Sequence, residues 1–204
     1  MRRALAMIAL ASIASSGCGD WRDHVQPNLA VKEPAQAPLE KPAFSARGAT
    51  LTPRARYTTK AWVAATDRDI DDPYEDVIPL DVSLIWGPLG NRDILRDMSF
   101  HLARRYVSVR WGREVPLNEK VVMTHLANTH LIPSTPELAA YLEHVKAGDL
   151  LFLEGLLVDV ALAGTFPLKT SLFRDDIGNG ACEILYVEKA EITRPGRGPA
   201  TARP

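Results

Sequence analysis

Two histidines, His125 and His130, lie in the stretch HLANTHLIPSTPE, just ahead of a run typical of a helix start. A histidine pair on a helix binds a metal ion when three or four residues separate the rings, because both then share one face. A separation of five rotates the second ring away by about 140° on a helix, and an odd separation puts the rings on opposite faces of a strand. The spacing therefore favours structural or surface roles, unless a loop containing Asn128 brings both rings to one site.

The stretch SLFRDDIGNGACE contains the second set of residues that could do chemistry. Arg174, Asp175 and Asp176 precede a Gly-Asn-Gly turn, and Cys182 and Glu183 follow it. This could be a catalytic or ligand-binding loop, with Cys182 as a nucleophile if a histidine lies beside it in space. The alternative is a structural loop in which the cysteine is a small buried apolar residue. A single cysteine without a local signature favours the structural alternative.

An acidic run, DRDIDDPYED, begins like a calcium-binding loop. Asp72 stands where an EF-hand needs glycine, and Ile78 stands where the bidentate glutamate should be, so an EF-hand is excluded. The sequence also contains no P-loop, dinucleotide fingerprint, serine elbow or zinc-pair spacing. We expect neither a metal ion nor a cofactor.

The N-terminus has the order of a secretory signal peptide, with Arg2 and Arg3, an apolar run and then small residues. The run ends in Ser-Ser-Gly-Cys, which resembles the lipobox of bacterial lipoproteins. The resemblance implies a signal peptide over 1–17 and acylation of Cys18, for example by palmitate, which would anchor the chain to a membrane. Gly19 after the cysteine favours the outer over the inner membrane. Cleavage by an ordinary signal peptidase before Cys18 is the alternative.

Composition predicts one globular domain with flexible ends. The 204 residues are 46% apolar and 24% charged, and the net charge of −1 does not indicate a nucleic-acid-binding face. Frequent proline and alanine predict an extended tether over 18–56, and the Pro-, Gly- and Arg-rich end predicts a disordered tail over 193–204. The folded domain is expected over 57–192.

Hydrophobic periodicity predicts mainly strands and one principal helix within this domain. The helix signal is STPELAAYLEHVKAG, with Ser134 as its N-cap and Gly148 as its stop. Gly155 in the next strand predicts a bulge. Strands are expected at YTTKAWVAAT, VIPLDVSLIWG, RRYVSVRWG, KVVMTHLANTHL, GDLLFLEGLLVDVAL and CEILYVEKAEI.

This order of elements resembles the OB-fold, a small five-stranded barrel with a helix between its third and fourth strands. The predicted fold class is thus mainly β with one principal helix (α+β), arranged as an OB-fold-like barrel. The whole chain is similar to a group of uncharacterised proteobacterial lipoproteins through HLANTHLIP, GDLLFLEGLLVDV and SLFRDDIGNGACE. That group has no assigned activity, so the resemblance implies a cellular location and the extent of the domain, but no reaction.

The sequence therefore favours a membrane-anchored, non-enzymatic binding module on the periplasmic face of the cell envelope. Its partner would be an envelope protein, peptide or glycan. The alternative is an envelope hydrolase or metal-dependent enzyme that uses His125, His130, Cys182 and the loop with Asp175 and Asp176. The enzyme hypothesis requires two of these side chains to converge within about 4 Å.

Overall fold

The computed structural model describes residues 20–173, 176 and 181–195, and Cys18, Arg174 and Asp175 lie outside this range. Within it, the chain is mainly β, with 45% strand and 15% helix, as predicted. The strands are β1 Ala35–Pro38, β2 Phe44–Ala46, β3 Ala49–Asp67, β4 Leu80–Ile85, β5 Met98–Ala103, β6 Tyr106–Trp111, β7 Leu126–Pro133, β8 Leu150–Ala161 and β9 Glu183–Thr193. The α-helices are α1 Arg92–Leu95, α2 Glu119–Thr124 and α3 Pro136–Leu142.

One large sheet is organised around the 19-residue strand β3. The N-terminal part of β3 pairs antiparallel with β8, and its C-terminal part pairs antiparallel with β4. Strand β4 pairs with β7, β7 runs parallel to β9, and β9 pairs antiparallel with β8. The short strands β1 and β2 pair with β3, and β5 and β6 form a separate hairpin.

The core consists of two clusters of buried apolar side chains. The larger apolar cluster surrounds the fully buried side chains Trp62 and Trp86, and the hairpin contributes Met98 to it. Burying two indole rings supplies a large share of the apolar area that stabilises a domain of this size. The hairpin is thus packed against the sheet and held over one of its faces.

The segment predicted as a tether is folded from Asp20 onward. Strands β1 and β2 and the start of β3 lie within it, and the side chains of Val25, Ala30 and Leu51 are buried. Proline is accommodated because β1 is an edge strand and Pro53 lies where the register of β3 on β8 shifts. The expected domain start at Tyr57 therefore lies inside β3.

The region around α3 differs from the prediction in detail. Thr135, and not Ser134, is the N-cap of α3: its side chain accepts a hydrogen bond from the Leu138 amide. The stretch KVVMTHLANTHL was predicted as extended, but its first part is helix α2, because the Asn118 side chain caps that helix. The predicted bulge is present, with a register shift at Gly155, where a Cβ would overlap the Tyr186 carbonyl oxygen.

Candidate functional site

The structure separates the two histidines into different environments. His125 ends α2 and is half-buried, and its Nδ1 lies 2.8 Å from the Val121 carbonyl oxygen. Its ring packs against Gly87, whose φ of +56° brings the backbone close. His130 is buried in the middle of β7. Residues 127–129, considered as a loop in the sequence analysis, are part of the same strand, so the rings do not meet.

Three neighbouring strands bring polar residues to one face of the sheet. Asp81 of β4 pairs with His130 of β7, and Ser83 pairs with Asn128 in the same ladder. Because alternate residues of a strand share a face, these four side chains lie on the same side. Strand β9 runs parallel to β7, and its register places Cys182, the residue before β9, beside Asn128. An apolar strand pair thus carries a buried polar row.

The side chains in this row interact with one another. His130 Nδ1 lies 2.8 Å from Asp81 Oδ1, and Cys182 lies near enough to His130 to raise the pKa of its ring. The Asn128 side-chain amide donates to Cys182 Sγ over 3.3 Å. An acid, an imidazole and a thiol in series form the arrangement in which a histidine activates a cysteine nucleophile.

The protonation of His130 follows from these contacts. Burial alone lowers the pKa of an imidazole, but the hydrogen bonds and charges of Asp81 and Cys182 outweigh burial and raise the pKa of His130 to about 9. At neutral pH the ring is therefore a buried imidazolium, and both ring nitrogens are donors.

A basic residue, Arg105, also binds the Asp81 carboxylate. Arg105, in the turn between β5 and β6, donates from Nη1 to Asp81 Oδ1 over 2.8 Å and to the Ile78 carbonyl oxygen over 3.0 Å. Its Nε and Nη2 reach the two carboxylate oxygens of Asp72 over 2.8 and 3.2 Å. Burial lowers the pKa of Arg105, but both carboxylates outweigh burial and raise it. The buried charges on this face are thus paired.

Several polar atoms on the same face have no hydrogen-bond partner among the described residues. They are Oδ2 of Asp81, Oγ of Ser83 and Oδ1 of Asn128. Asp81 and Ser83 are fully buried and Asn128 is 5% exposed. Leaving a buried acceptor unpaired costs about 1–3 kcal/mol, so each of these atoms requires an explanation such as a bound water, a ligand or a catalytic role.

Three other described residues of the predicted loop, Ser171, Asp176 and Glu183, lie near this row. The Ser171 amide donates to the Cys182 carbonyl oxygen over 2.8 Å, and Ser171 Oγ donates to Asp176 over 2.6 Å. Glu183 is buried and pairs with Thr129, on the face of the sheet opposite to Cys182. Asp176 therefore braces the loop, and Glu183 belongs to a different surface.

Neither Asp81 nor Arg105 was among the residues that the sequence suggested for the site. Asp81 carried a signal, because it is the single acid in the apolar run VIPLDVSLIWG, and a lone carboxylate in a buried strand needs partners. Arg105 carried no signal of its own, because its role depends on the hairpin formed with strand β5, which was not predicted.

Comparison with protein-family models, with curated proteins and with solved structures yields no match. Among the described residues, no group of three or more His, Cys, Asp or Glu side chains is arranged to hold a metal ion. In the same part of the chain, no helix has the length and apolar character needed to span a bilayer.

Proposed function

We propose that this protein is a thiol-dependent enzyme of the acyl-transfer class, most simply a hydrolase. Cys182 is the nucleophile, His130 the proton donor and Asp81 the group that orients His130. The observation that supports this proposal is that the buried, hydrogen-bonded pair of Asp81 and His130 lies beside the half-buried Cys182 on one face of β4, β7 and β9. This favours the enzyme alternative over the non-enzymatic module.

The proposed reaction uses the charge of His130. The thiolate is the nucleophilic form of a cysteine, and a neighbouring imidazolium is a proton donor. The thiolate attacks a carbonyl carbon, a C–S bond forms, and the bond to the leaving group breaks as His130 gives that group its proton. Water then adds to the thioester, His130 recovers a proton, and a carboxylic acid leaves as the thiolate is restored. No oxidant or metal ion enters these steps.

Asn128 is placed to stabilise the negative charge that develops on the substrate oxygen. One of its amide hydrogens points to Sγ, 3.3 Å away, and the other is held by the Arg105 carbonyl oxygen over 2.7 Å. A fixed amide donor next to the nucleophile is the kind of group that forms an oxyanion hole. Its Oδ1 is buried and has no hydrogen-bond partner among the described residues.

The strand pairings support a finer proposal for the fold, an OB-fold-like barrel made of β3, β4, β7, β8 and β9. In its favour, the pairing order β3-β4-β7-β9-β8 returns to β3. Along the chain, α3 lies between β7 and β8, which are the third and fourth of these five strands. Proteins with an OB-fold bind ligands on the face formed by their second and third strands. Strands β4 and β7 hold those positions, and Asp81, Asn128 and His130 lie on them.

The proposed location is the periplasmic face of the cell envelope. A lipid on Cys18 would anchor the chain to a membrane there, and the outer membrane is preferred over the inner one. Asp20 already caps a short 3-10 helix of the folded domain. The domain would then lie close to the lipid surface and not at the end of a long tether. Fatty-acid labelling of wild type and Cys18→Ser tests this, and equal labelling of the two would contradict lipid anchoring.

A binding module for a protein, peptide or glycan is the second candidate. Phe166 and Phe173 are 92% and 69% exposed, on the segment that leads from β8 to Cys182. Exposed aromatic side chains are enriched where proteins bind partners. In this candidate the segment would bind a partner and Cys182 would remain unmodified.

Acyl trapping separates the two candidates. The full chain is incubated with aryl esters and thioesters of varied acyl groups, and the peptide containing Cys182 is examined by mass spectrometry. The enzyme proposal predicts an acyl adduct on Cys182 that is lost in Cys182→Ala, accumulates more slowly in His130→Gln, and is retained in His125→Gln. Absence of any adduct in wild type, together with product release equal to that of Cys182→Ala, would contradict it.

A further inference from the structure

The turn between β5 and β6 has an unusual sequence for its geometry. Ala103 pairs with Tyr106, so only Arg104 and Arg105 connect the strands, and their φ angles are +51° and +68°. A two-residue hairpin turn with positive φ at both positions is normally made by Asn-Gly or Gly-Gly, because a Cβ is disfavoured there. Two arginines in these positions indicate that the rest of the structure holds the turn in place.

Contacts from both sides hold this turn over the polar face. The Arg104 amide donates to Asp67 Oδ2 over 3.1 Å, and the Arg105 carbonyl oxygen accepts from the Asn128 side chain over 2.7 Å. The Arg105 guanidinium makes four hydrogen bonds, to Asp72, to the Ile78 carbonyl oxygen and to Asp81. A guanidinium engaged in this way is not presented to a substrate.

Arg105 therefore contacts both groups that support the cysteine. Its side chain binds Asp81 Oδ1, the same oxygen that binds His130 Nδ1, and both distances are 2.8 Å. Its carbonyl oxygen fixes the Asn128 amide, which donates to Sγ. When a planar guanidinium binds one side of the Asp81 carboxylate, the orientation of that carboxylate toward His130 is fixed.

We propose that Arg105 is a positioning residue for the Cys182 site: by binding Asp81 through its side chain and Asn128 through its backbone, it sets the orientation of His130 and of the amide beside the thiol. This inference rests on the proposed function, because it concerns how the same site is kept in its reactive geometry. It adds the β5–β6 hairpin to the parts of the molecule on which the reaction depends.

Arg105→Gly tests the side-chain contact alone. Glycine accepts the positive φ without strain and keeps the carbonyl oxygen, so the turn and its bond to Asn128 persist while the guanidinium is lost. Arg104→Gly is the matched control, because Arg104 is exposed and the same backbone change is made one residue away. Two quantities are measured in the full chain: the downfield imidazole N–H proton resonance of His130, and the rate at which iodoacetamide alkylates Cys182.

We expect Arg105→Gly to lose the His130 N–H resonance and to be alkylated about tenfold more slowly, with Arg105→Lys intermediate, because one ammonium cannot bridge both carboxylates. Arg104→Gly should match wild type in both measurements. If Arg105→Gly does not fold, Asp72→Asn is used instead, because Asp72 binds Arg105 but makes no hydrogen bond to Asp81 or His130. Asp72→Asn should weaken the His130 N–H resonance and slow the alkylation of Cys182, both to a smaller extent than Arg105→Gly.

A folded Arg105→Gly with both readouts unchanged, or an unchanged Asp72→Asn where that variant replaces it, would overturn the positioning role. Failure of the proposed function would give a different result. If Cys182 is not a nucleophile, wild-type Cys182 should be alkylated no faster than a free cysteine. The His130 resonance would still show whether Arg105 positions Asp81.

Discussion

His125 and His130 lie five residues apart at one helix-to-strand junction, yet the structure gives them opposite surroundings. His125 closes a short helix and packs on a glycine, and its ring nitrogen is bound within its own turn. His130 is buried and bound to Asp81, and Cys182 raises the pKa of its ring; both of these residues come from distant parts of the chain. The reactivity of a histidine therefore depends on which strands are adjacent to it in the fold, and the spacing of histidines along the chain does not show this.

The largest expected difference between the two histidines is in acyl transfer. A positioned acid–base group contributes about 10²- to 10⁴-fold to a reaction rate, so His130→Gln should slow acyl transfer to Cys182 by about that factor. His125→Gln should stay within about twofold of wild type, because His125 contacts neither Asp81 nor Cys182 in the structure, a difference smaller than about 0.4 kcal/mol. Stopped-flow release of an aryl leaving group measures both rates, and equal slowing by the two variants would contradict the comparison.

The second difference is in stability. Removing the imidazole from a buried charged pair leaves Asp81 with one partner fewer, and His130→Ala should lower the free energy of unfolding by about 3–5 kcal/mol. His125→Ala removes one local hydrogen bond and should cost about 1 kcal/mol. Urea denaturation followed by circular dichroism gives both values. Similar losses for the two variants would show that His130 is not a charged, paired residue.

The third difference is in pH dependence. The pKa of His130 is raised to about 9, above its ordinary value of 6.5, so its contribution to stability is fully present below about pH 6.5. That contribution is lost as pH rises from there through 9. Wild type and His125→Gln should therefore lose about a few kcal/mol of unfolding free energy between these pH values, and His130→Gln should lose much less. A fall in stability on acidification from pH 8 to 6.5 would contradict the raised pKa.

The smallest expected effect is on the His125 side. A Cβ at Gly87 would lie 2.7 Å from His125 Cδ2, and the φ of +56° disfavours a side chain. Gly87→Ala should cost about 1–2 kcal/mol of stability. It should leave alkylation of Cys182 unchanged, because His125 is separate from the polar row. A large loss of Cys182 reactivity in this variant would show that the surroundings of His125 and the polar row depend on each other.

Local patterns in the sequence predicted much of the fold but little of the candidate site. The mainly β class, the bulge at Gly155 and the last strand follow from alternation and glycine placement, which are local properties. The folded segment before Tyr57 was missed because proline at an edge strand looks like a linker. The relation of His130 to Cys182 depends on β7 running parallel to β9, a pairing across about fifty residues that no local pattern specifies.

The polar row also shows which residues a sequence can suggest without placing them. His130 and Cys182 were suggested by residue type, and Asp81 could have been suggested as a single acid in an apolar strand. Arg105 could not, because only the hairpin geometry brings its side chain to Asp81.

The most direct test of the central claim is the alkylation rate of Cys182 by iodoacetamide as a function of pH, in wild type and His130→Gln. Mass spectrometry of the peptide containing Cys182 follows this cysteine alone. If the three residues act together, wild type should react at pH 6 at least tenfold faster than His130→Gln, and the two rates should converge as pH rises past 9, where the imidazolium loses its proton. Identical rates in the two proteins at every pH would contradict the claim that Asp81, His130 and Cys182 act as one site.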